Sequence, residues 1–300
     1  MPSTPADIRG TALVTGATDG LGRATATLLA ERGYRVFAAG RSAQRRAVLD
    51  QFARERSLPL ETLELDVRDD ASVNACVSEI ERRVGPVDIL VNNAGIAIGA
   101  AIEEISIADL LKVYDTNVFG LLRVTQRVLP EMRRRRRGRI INMSSIAGKV
   151  AAPILGPYSS SKHAVEAISD SLRHEVYPFG IHVVLIEPGY IETSMNRTAS
   201  ELSSPYSSAA EKSPYRGVYE RFLGGWEKTR HTSKDTPEDC ARVILRAIEE
   251  TPPHPRYLVT RPAKIASFMK RLMPDRAFDR GMRKQFRLDE LRAAMQKETR

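Results

Sequence analysis

Three hundred residues suffice for one large α/β unit or for two domains of roughly 150 residues each. With 42% hydrophobic and 28% charged residues, the composition excludes disordered, collagen-like and fibrous chains. A net charge of +9 favours anionic partners, without choosing among a phosphorylated cofactor, a membrane surface and nucleic acid. The two cysteines, Cys76 and Cys240, cannot build a disulfide framework or a four-ligand zinc site. No stretch reaches the roughly 20 apolar residues of a membrane span, and the first residues carry no apolar leader core. The expectation is a reduced, cytosolic, soluble protein.

In chain order, short apolar runs alternate with longer amphipathic ones to about residue 190. Strand-like runs lie at Thr11–Thr15, Arg35–Ala39, Leu60–Asp66, Val87–Val91, Arg139–Met143 and Ile181–Ile186. Helix-like segments lie near 21–32, 43–56, 70–84, 105–136 and 157–177. Runs such as Val-Asp-Ile-Leu-Val are almost continuously apolar, as a parallel strand covered on both faces requires. The alternation predicts βαβ units in an α/β, doubly wound parallel sheet flanked by helices, as a single domain. The arginine run Arg133–Arg137 closes the long helix, where cations favour the C-terminal dipole and Gly138 would cap it. No base-reading motif accompanies the run, so nucleic acid is not expected.

After Ile191 the pattern changes. Residues 194–235 are rich in Ser, Pro, Gly and Lys but also hold Tyr206, Tyr215, Tyr219, Phe222 and Trp226. So aromatic an insertion reads as a lid over a binding site. Residues 236–250 carry Thr236 as an N-cap, Pro237 in the first turn, and Cys240, Val243, Ile244, Ala247 and Ile248 at helical spacing. Arg256–Thr260 reads as a last strand. From Pro262 to residue 300 runs a basic, amphipathic helical extension, with Ile265, Phe268, Met269, Leu272 and Met273 near helical spacing. It could lie against its own subunit, at the mouth of the site or, at most peripherally, on a membrane surface; packing is the expected arrangement.

The first strand enters Thr15-Gly16-Ala17-Thr18-Asp19-Gly20-Leu21-Gly22 and then a helix. Gly16 lets the chain turn, Gly20 lets backbone approach a pyrophosphate, and Gly22 lets helix and strand pack closely, while the helix N-terminus offers free N–H groups. A glycine trio alone is weak evidence, but its place between strand and helix favours a dinucleotide. The second strand ends Ala39-Gly40-Arg41-Ser42 with no acid to read a ribose 2′-hydroxyl, and Arg41 suits a 2′-phosphate. NADP(H) is therefore preferred, with NAD(H) possible; Asp19, a carboxylate in the loop, weighs against the phosphate. Tyr158 and Lys162 stand four apart, on one helical face. That pair alone carries no function. Beside an ammonium and a positive nicotinamide ring, however, the phenol would ionise more readily than its reference value of about 10 allows.

Together these motifs resemble the short-chain dehydrogenase/reductase superfamily, in its Tyr-x-x-x-Lys branch, over about residues 8–195. They continue with Asp66-Val67, Asn92-Asn93-Ala94-Gly95, Asn117, Asn142-Met143-Ser144-Ser145, and Pro188-Gly189-Tyr190-Ile191-Glu192-Thr193. The resemblance implies a Rossmann sheet with Tyr158 as general acid/base and Lys162 binding ribose and lowering the phenol's pKa. Ser145, with Ser144 as runner-up, would hydrogen-bond the substrate oxygen, and the Asn117 backbone would hold a relaying water. It further implies that Asp66 and Val67 read adenine and that Asn93, Ala94 and Gly95 line the adenosine ribose, or merely shape the turn. Thr18 and Leu21 join Gly16, Gly20 and Gly22 in the phosphate loop, and Pro188, Gly189, Ile191 and Thr193 flank the nicotinamide, unless Thr193 only caps the next helix. Homodimers or homotetramers are usual in the family. Glu187-Pro188-Gly189 and Tyr177–Ile181 are similar to hydroxysteroid and retinol dehydrogenases, which implies a hydrophobic ketone or secondary alcohol as substrate. The alternatives are a 3-oxoacyl thioester reductase and a catalytically silent NADP-binding regulator. His163, His174 and His182 lack ligand spacing, so no metal is expected.

Overall fold

Seven strands form one wholly parallel sheet in the order β3-β2-β1-β4-β5-β6-β7, in a computed structural model that describes residues 9–298. The strands are β1 (Thr11–Thr15), β2 (Arg35–Gly40), β3 (Leu60–Glu64), β4 (Ile89–Asn92), β5 (Gly138–Met143), β6 (Ile181–Glu187) and β7 (Arg256–Leu258). Helices α1 (Gly20–Glu31), α2 (Ala43–Glu55), α3 (Asp70–Val84), α4 (Ile107–Tyr114), α5 (Gly120–Arg135) and α6 (Gly156–Val176) connect the first six. Then α7 (Ser194–Ser208), α8 (Arg216–Thr232) and α9 (Pro237–Glu249) precede β7, and α10 (Arg261–Leu272), α11 (Asp275–Gln285) and α12 (Leu288–Glu298) follow it.

The two-residue period of each strand divides the core into two layers. Ala12, Val14, Val36 and Ala38 face Leu29 of α1, Leu49 of α2 and Ile244 of α9. Leu13, Phe37, Leu90 and Ile140 face Val77 and Ile80 of α3 and Val128 and Met132 of α5. Strand order reverses between β1 and β4, and this opens a crevice at the carboxyl ends of the strands.

Several boundaries differ from expectation, each for a visible reason. The segment 105–136 is not one helix: a π turn at Asp115–Phe119 separates α4 from α5. The third strand stops at Glu64, which leaves Asp66 in a loop with its carboxylate tied to Arg68. The last strand ends at Leu258, and the Thr260 hydroxyl accepts from Ala263 N to cap α10. Gly138 does not cap the arginine-rich helix. Arg136 does so, in the left-handed region, while Gly138 opens β5, where a Cβ would come within 2.5 Å of Met132 Sδ. The arginines are engaged locally, Arg134 with Glu131 at 2.7 Å and Arg135 with Asp88 at 2.5 Å.

The tail is helical as expected but breaks at Pro274. Its expected packing against the subunit fails for the apolar residues of α10: Ile265, Phe268, Met269 and Leu272 are exposed. Among the described residues, no helix is long and apolar enough to cross a membrane.

Candidate active site

The crevice is a cleft of about 760 Å³ floored by the glycine loop. Gly16 takes φ +63°, and a Cβ there would lie 2.9 Å from Ala94 Cα. A Cβ on Gly22 would meet Gly16 O and Asn93 Nδ2 at 2.4 Å, so its glycine serves close packing. Asn93 clips the loop: its Nδ2 donates to Thr15 O (2.9 Å) and Gly16 O (3.1 Å). Thr15 Oγ1 accepts from the N–H groups of Asn93 and Ala94, both at 3.0 Å. Asn93 thus shapes the turn and lines the cleft as well. Thr18, Gly20, Leu21, Ala94, Gly95, Asp66 and Val67 line the cleft too.

Where β2 ends, Arg41, Ser42 and Arg45 line the cleft. Asp19, the residue that weighed against a phosphate, is occupied. One carboxylate oxygen accepts from Gly20 N at 2.7 Å, and the other lies 3.3 Å from an Arg45 guanidinium nitrogen. Arg45 escaped the sequence reading, although it follows Arg41 by one helical turn. Its neighbour Arg46 is spent on Gly40 O (2.8 Å) and Glu64 (2.9 Å). The Arg68 guanidinium grips Asp66 at 2.6 Å, and its hydrogen bonds hold that carboxyl below the usual carboxylate range.

Through Leu21, Asn93, Gly95, Thr193 and Met195 the cleft adjoins a second cavity of about 400 Å³. Tyr158, Lys162, Ser144, Ser145, Pro188, Gly189 and Ile191 line it. Lys162 is buried, its Nζ donates to Met143 O at 2.7 Å, and it lies 5.7 Å from the centre of the Tyr158 ring. Burial draws the ammonium down to about 8, with Glu166 opposing. Burial likewise pushes the Tyr158 phenol up to about 12, with Ser145 working the other way. In the protein alone, desolvation sets the phenol's direction, and the ammonium is committed to a carbonyl; the nicotinamide ring that the expectation also invoked is not part of this balance. Ser145 Oγ donates to Pro188 O at 3.3 Å and accepts from Ala147 N at 3.1 Å.

Two expected residues do not line either cavity. One is Gly22, and the other is Asn117, which sits buried in the π turn, a distortion common at functional sites. Asn117 Oδ1 accepts from Ile96 N (2.8 Å), and its Nδ2 donates to Ile96 O (2.9 Å) and Ser161 Oγ (3.0 Å). Ser161 Oγ in turn donates to Tyr158 O at 2.7 Å. Sequence reading missed this serine; only the fold brings Asn117 to it across 44 residues.

Behind the lysine lies a charged cluster. Glu166 meets Lys149 at 2.8 Å and Arg256 at 3.0 Å, and buried Glu187 meets Arg256 at 3.2 Å. Burial and the adjacent Glu166 carboxylate raise the Glu187 carboxyl well above its ordinary value. No group of three or more His, Cys, Asp or Glu suited to a metal occurs among the described residues.

The 194–235 segment divides its aromatics between two tasks. Phe222 and Trp226 of α8 line the smaller cavity, with Tyr190 stacked edge-on to Trp226 at 4.9 Å. Tyr206, Tyr215 and Tyr219 face away and anchor: the Tyr219 hydroxyl accepts from Ala101 N (2.9 Å), and Tyr206 donates to Asp109 (2.6 Å). Thr193 lines both cavities, while its N–H and hydroxyl donate to Asn196 Oδ1 at 2.9 and 3.0 Å at the start of α7. Gln285 and Phe286, from the tail, complete the wall.

The short chain dehydrogenase family matches residues 10–203, the span that carries the glycine loop, Asn117, Ser145, Tyr158 and Lys162. The chain belongs to the short-chain dehydrogenase/reductase family. It is 38% identical over 224 residues to a 3-ketodihydrosphingosine reductase of Bacteroides thetaiotaomicron, covering 71% of this chain and 80% of that one. It is 33% identical over 275 residues to the NADPH-dependent 3-dehydrocapnine reductase of Ornithobacterium rhinotracheale, covering 90% and 94%. A short-chain dehydrogenase structure from Streptomyces avermitilis superposes with a TM-score of 0.73 at 28% identity, covering 96% of each chain. This short-chain dehydrogenase is accordingly an oxidoreductase with a Rossmann sheet built for a nicotinamide dinucleotide.

Proposed function

We propose that this enzyme interconverts a carbonyl and a secondary alcohol on a hydrophobic substrate, with NADP(H) as its preferred cofactor. The observation that carries the reading is the convergence of Tyr158, Ser145 and Lys162 in a mainly apolar cavity that opens onto the dinucleotide cleft. Ala97, Ala152, Leu155, Phe222, Trp226 and Phe286 supply its walls, a lining that favours apolar ligands. The cleft's donor set fits a dinucleotide: a glycine turn at a helix N-terminus for the pyrophosphate, with Arg41 and Arg45 where β2 ends without an acid. Asp66 and Val67 would flank adenine, Asn93, Ala94 and Gly95 its ribose, and Pro188, Gly189, Ile191 and Thr193 the nicotinamide. NAD(H) would forgo the two arginines.

When bound, the dinucleotide would supply the hydride and, in its oxidised form, a positive charge that favours the phenolate. Ser145 and Tyr158 donate to the substrate oxygen, where charge develops in the transition state. Tyr158 gives its proton in reduction and takes one in oxidation. Lys162 holds the ribose and its charge faces the phenol. Asn117, in the π turn, offers a backbone carbonyl to a water that passes protons to Lys162. The lid 194–235 closes the cavity by its α8 face. We keep the expectation of a homodimer or homotetramer, which the exposed Ile107 and Leu111 of α4 and Phe119 of the π turn support as a contact surface. The cytosol remains the proposed compartment, since both cysteines are free and buried.

The test is NADPH and NADH oxidation against long-chain 3-keto amines, steroid ketones, a 3-oxoacyl thioester and small polar ketones, repeated with Arg41→Ala/Arg45→Ala. Turnover with NADPH and an apolar ketone, and a selective loss of NADPH affinity in the variant, are expected. Unchanged NADPH affinity in the variant would overturn the cofactor preference, and turnover confined to polar ketones would overturn the substrate class.

A further inference from the structure

The helix α10 is inside out. At about 100° per residue, Ile265, Phe268, Met269 and Leu272 share one face, centred roughly 190° round the helix from Ala263. Ala263 is the buried residue, 2% exposed, whereas the four large side chains are 55%, 61%, 42% and 62% exposed. The inward face is small because the contact is tight: a Cβ on Gly189 would lie 3.4 Å from Ala263 Cβ and 2.2 Å from Thr260 Oγ1. A helix packed only for its own subunit would place its large apolar residues inward.

Charge selects what covers the face. Residues 261–286 hold eight Lys and Arg against two Asp, and Arg261, Lys264, Arg271, Arg276 and Arg280 make no ion pair among the described residues. Lys264 and Arg271 stand together on one rim of the apolar face. A second copy docked here would set this cationic excess against itself, as would any basic partner. An anionic lipid surface satisfies both halves, with apolar side chains below the headgroups and cations among them. Among the described residues no helix is long and apolar enough to span, so the contact proposed for α10 is a peripheral one. The same tail supplies Phe286 to the apolar cavity.

We propose that α10 docks this enzyme on anionic membranes, apolar face down, with the mouth of the cavity beside the lipid. The docking stands independently of the substrate reading. To test it, the full-length protein is sedimented with phosphatidylcholine vesicles, with and without phosphatidylglycerol, and its mass is measured by light scattering without lipid. Two outward variants, Phe268→Ser/Leu272→Ser and Lys264→Glu/Arg271→Glu, are compared with wild type. Expected is binding that requires phosphatidylglycerol, weakens in high salt, and drops at least about ten-fold in either variant. Turnover of a small water-soluble ketone should be unchanged, which verifies that the variants fold. Wild-type protein that stays in the supernatant overturns the proposal, as do variants that bind as wild type does. So does a serine variant with a lower mass in lipid-free solution, which would assign the face to a second copy.

Discussion

Residues 11–192 deliver their site residues from the ends of parallel strands and the turns that follow them, whereas residues 194–286 deliver theirs from helices lying outside the sheet. In the first region each strand is paired on both sides or held at an edge by its helices, and a side chain's direction follows from its register. In the second, nothing but docking decides which face of a helix meets the cavity. Tyr158 and Phe222 line one cavity, yet one is set by the start of α6 above the sheet and the other by three anchoring tyrosines. The first region, with α9 and β7 packed onto it, should therefore carry chemistry and stability, and the lid should carry substrate choice.

The sharpest test of that division is Tyr158→Phe, which should lower kcat by at least about a thousand-fold while dinucleotide binding, measured by calorimetry, is retained. Normal turnover would remove the phenol from the reaction. Next, Met132→Ala, in the first region's core and fully buried, should cost about 2–5 kcal/mol in chemical denaturation. Trp226→Ala should leave the denaturation midpoint nearly unmoved. Equal losses would erase the contrast.

The phenol's raised pKa, pushed to about 12 by burial, gives a sign to the pH profile. Oxidation needs the ionised form, so its kcat/KM should climb about ten-fold per pH unit below the phenol's pKa with cofactor bound. Reduction needs the neutral form and should fall above that pKa. A flat oxidation profile would mean that another group takes the proton. Arg45→Ala should raise KM for NADPH about ten-fold, by loss of a charge-assisted contact to phosphate, and leave NADH unaffected. The smallest effect belongs to the lid: Trp226→Ala should raise KM for an apolar ketone about five-fold with kcat little changed. A fall in kcat alone would give the lid a catalytic share.

Much of the first region was legible. Continuous apolar runs located the strands, and the glycine loop, Tyr158 and Lys162 lie where spacing put them because local geometry governs a turn or a helical face. Illegible were the features that depend on distant partners. Asn117 and Ser161 meet across 44 residues, Arg45 lines the cleft while its neighbour Arg46 bonds Gly40 O, and Asp19 is claimed by Arg45. The desolvation around Tyr158 and Lys162 was illegible too, because residue types show the cation beside the phenol but not the burial of both.

The linear order of residues by itself determined the doubly wound sheet, the phosphate-binding turn and the tyrosine–lysine face, since these follow from periods of two and 3.6 residues and from glycine's backbone freedom. Tertiary structure alone decided which aromatics of the lid enter the cavity, that Phe286 joins them, and that α10 turns its large side chains outward. Periodicity establishes that a helix has an apolar face; only the shape of the surface it meets, here a glycine and an alanine methyl in close contact, establishes which way that face is turned.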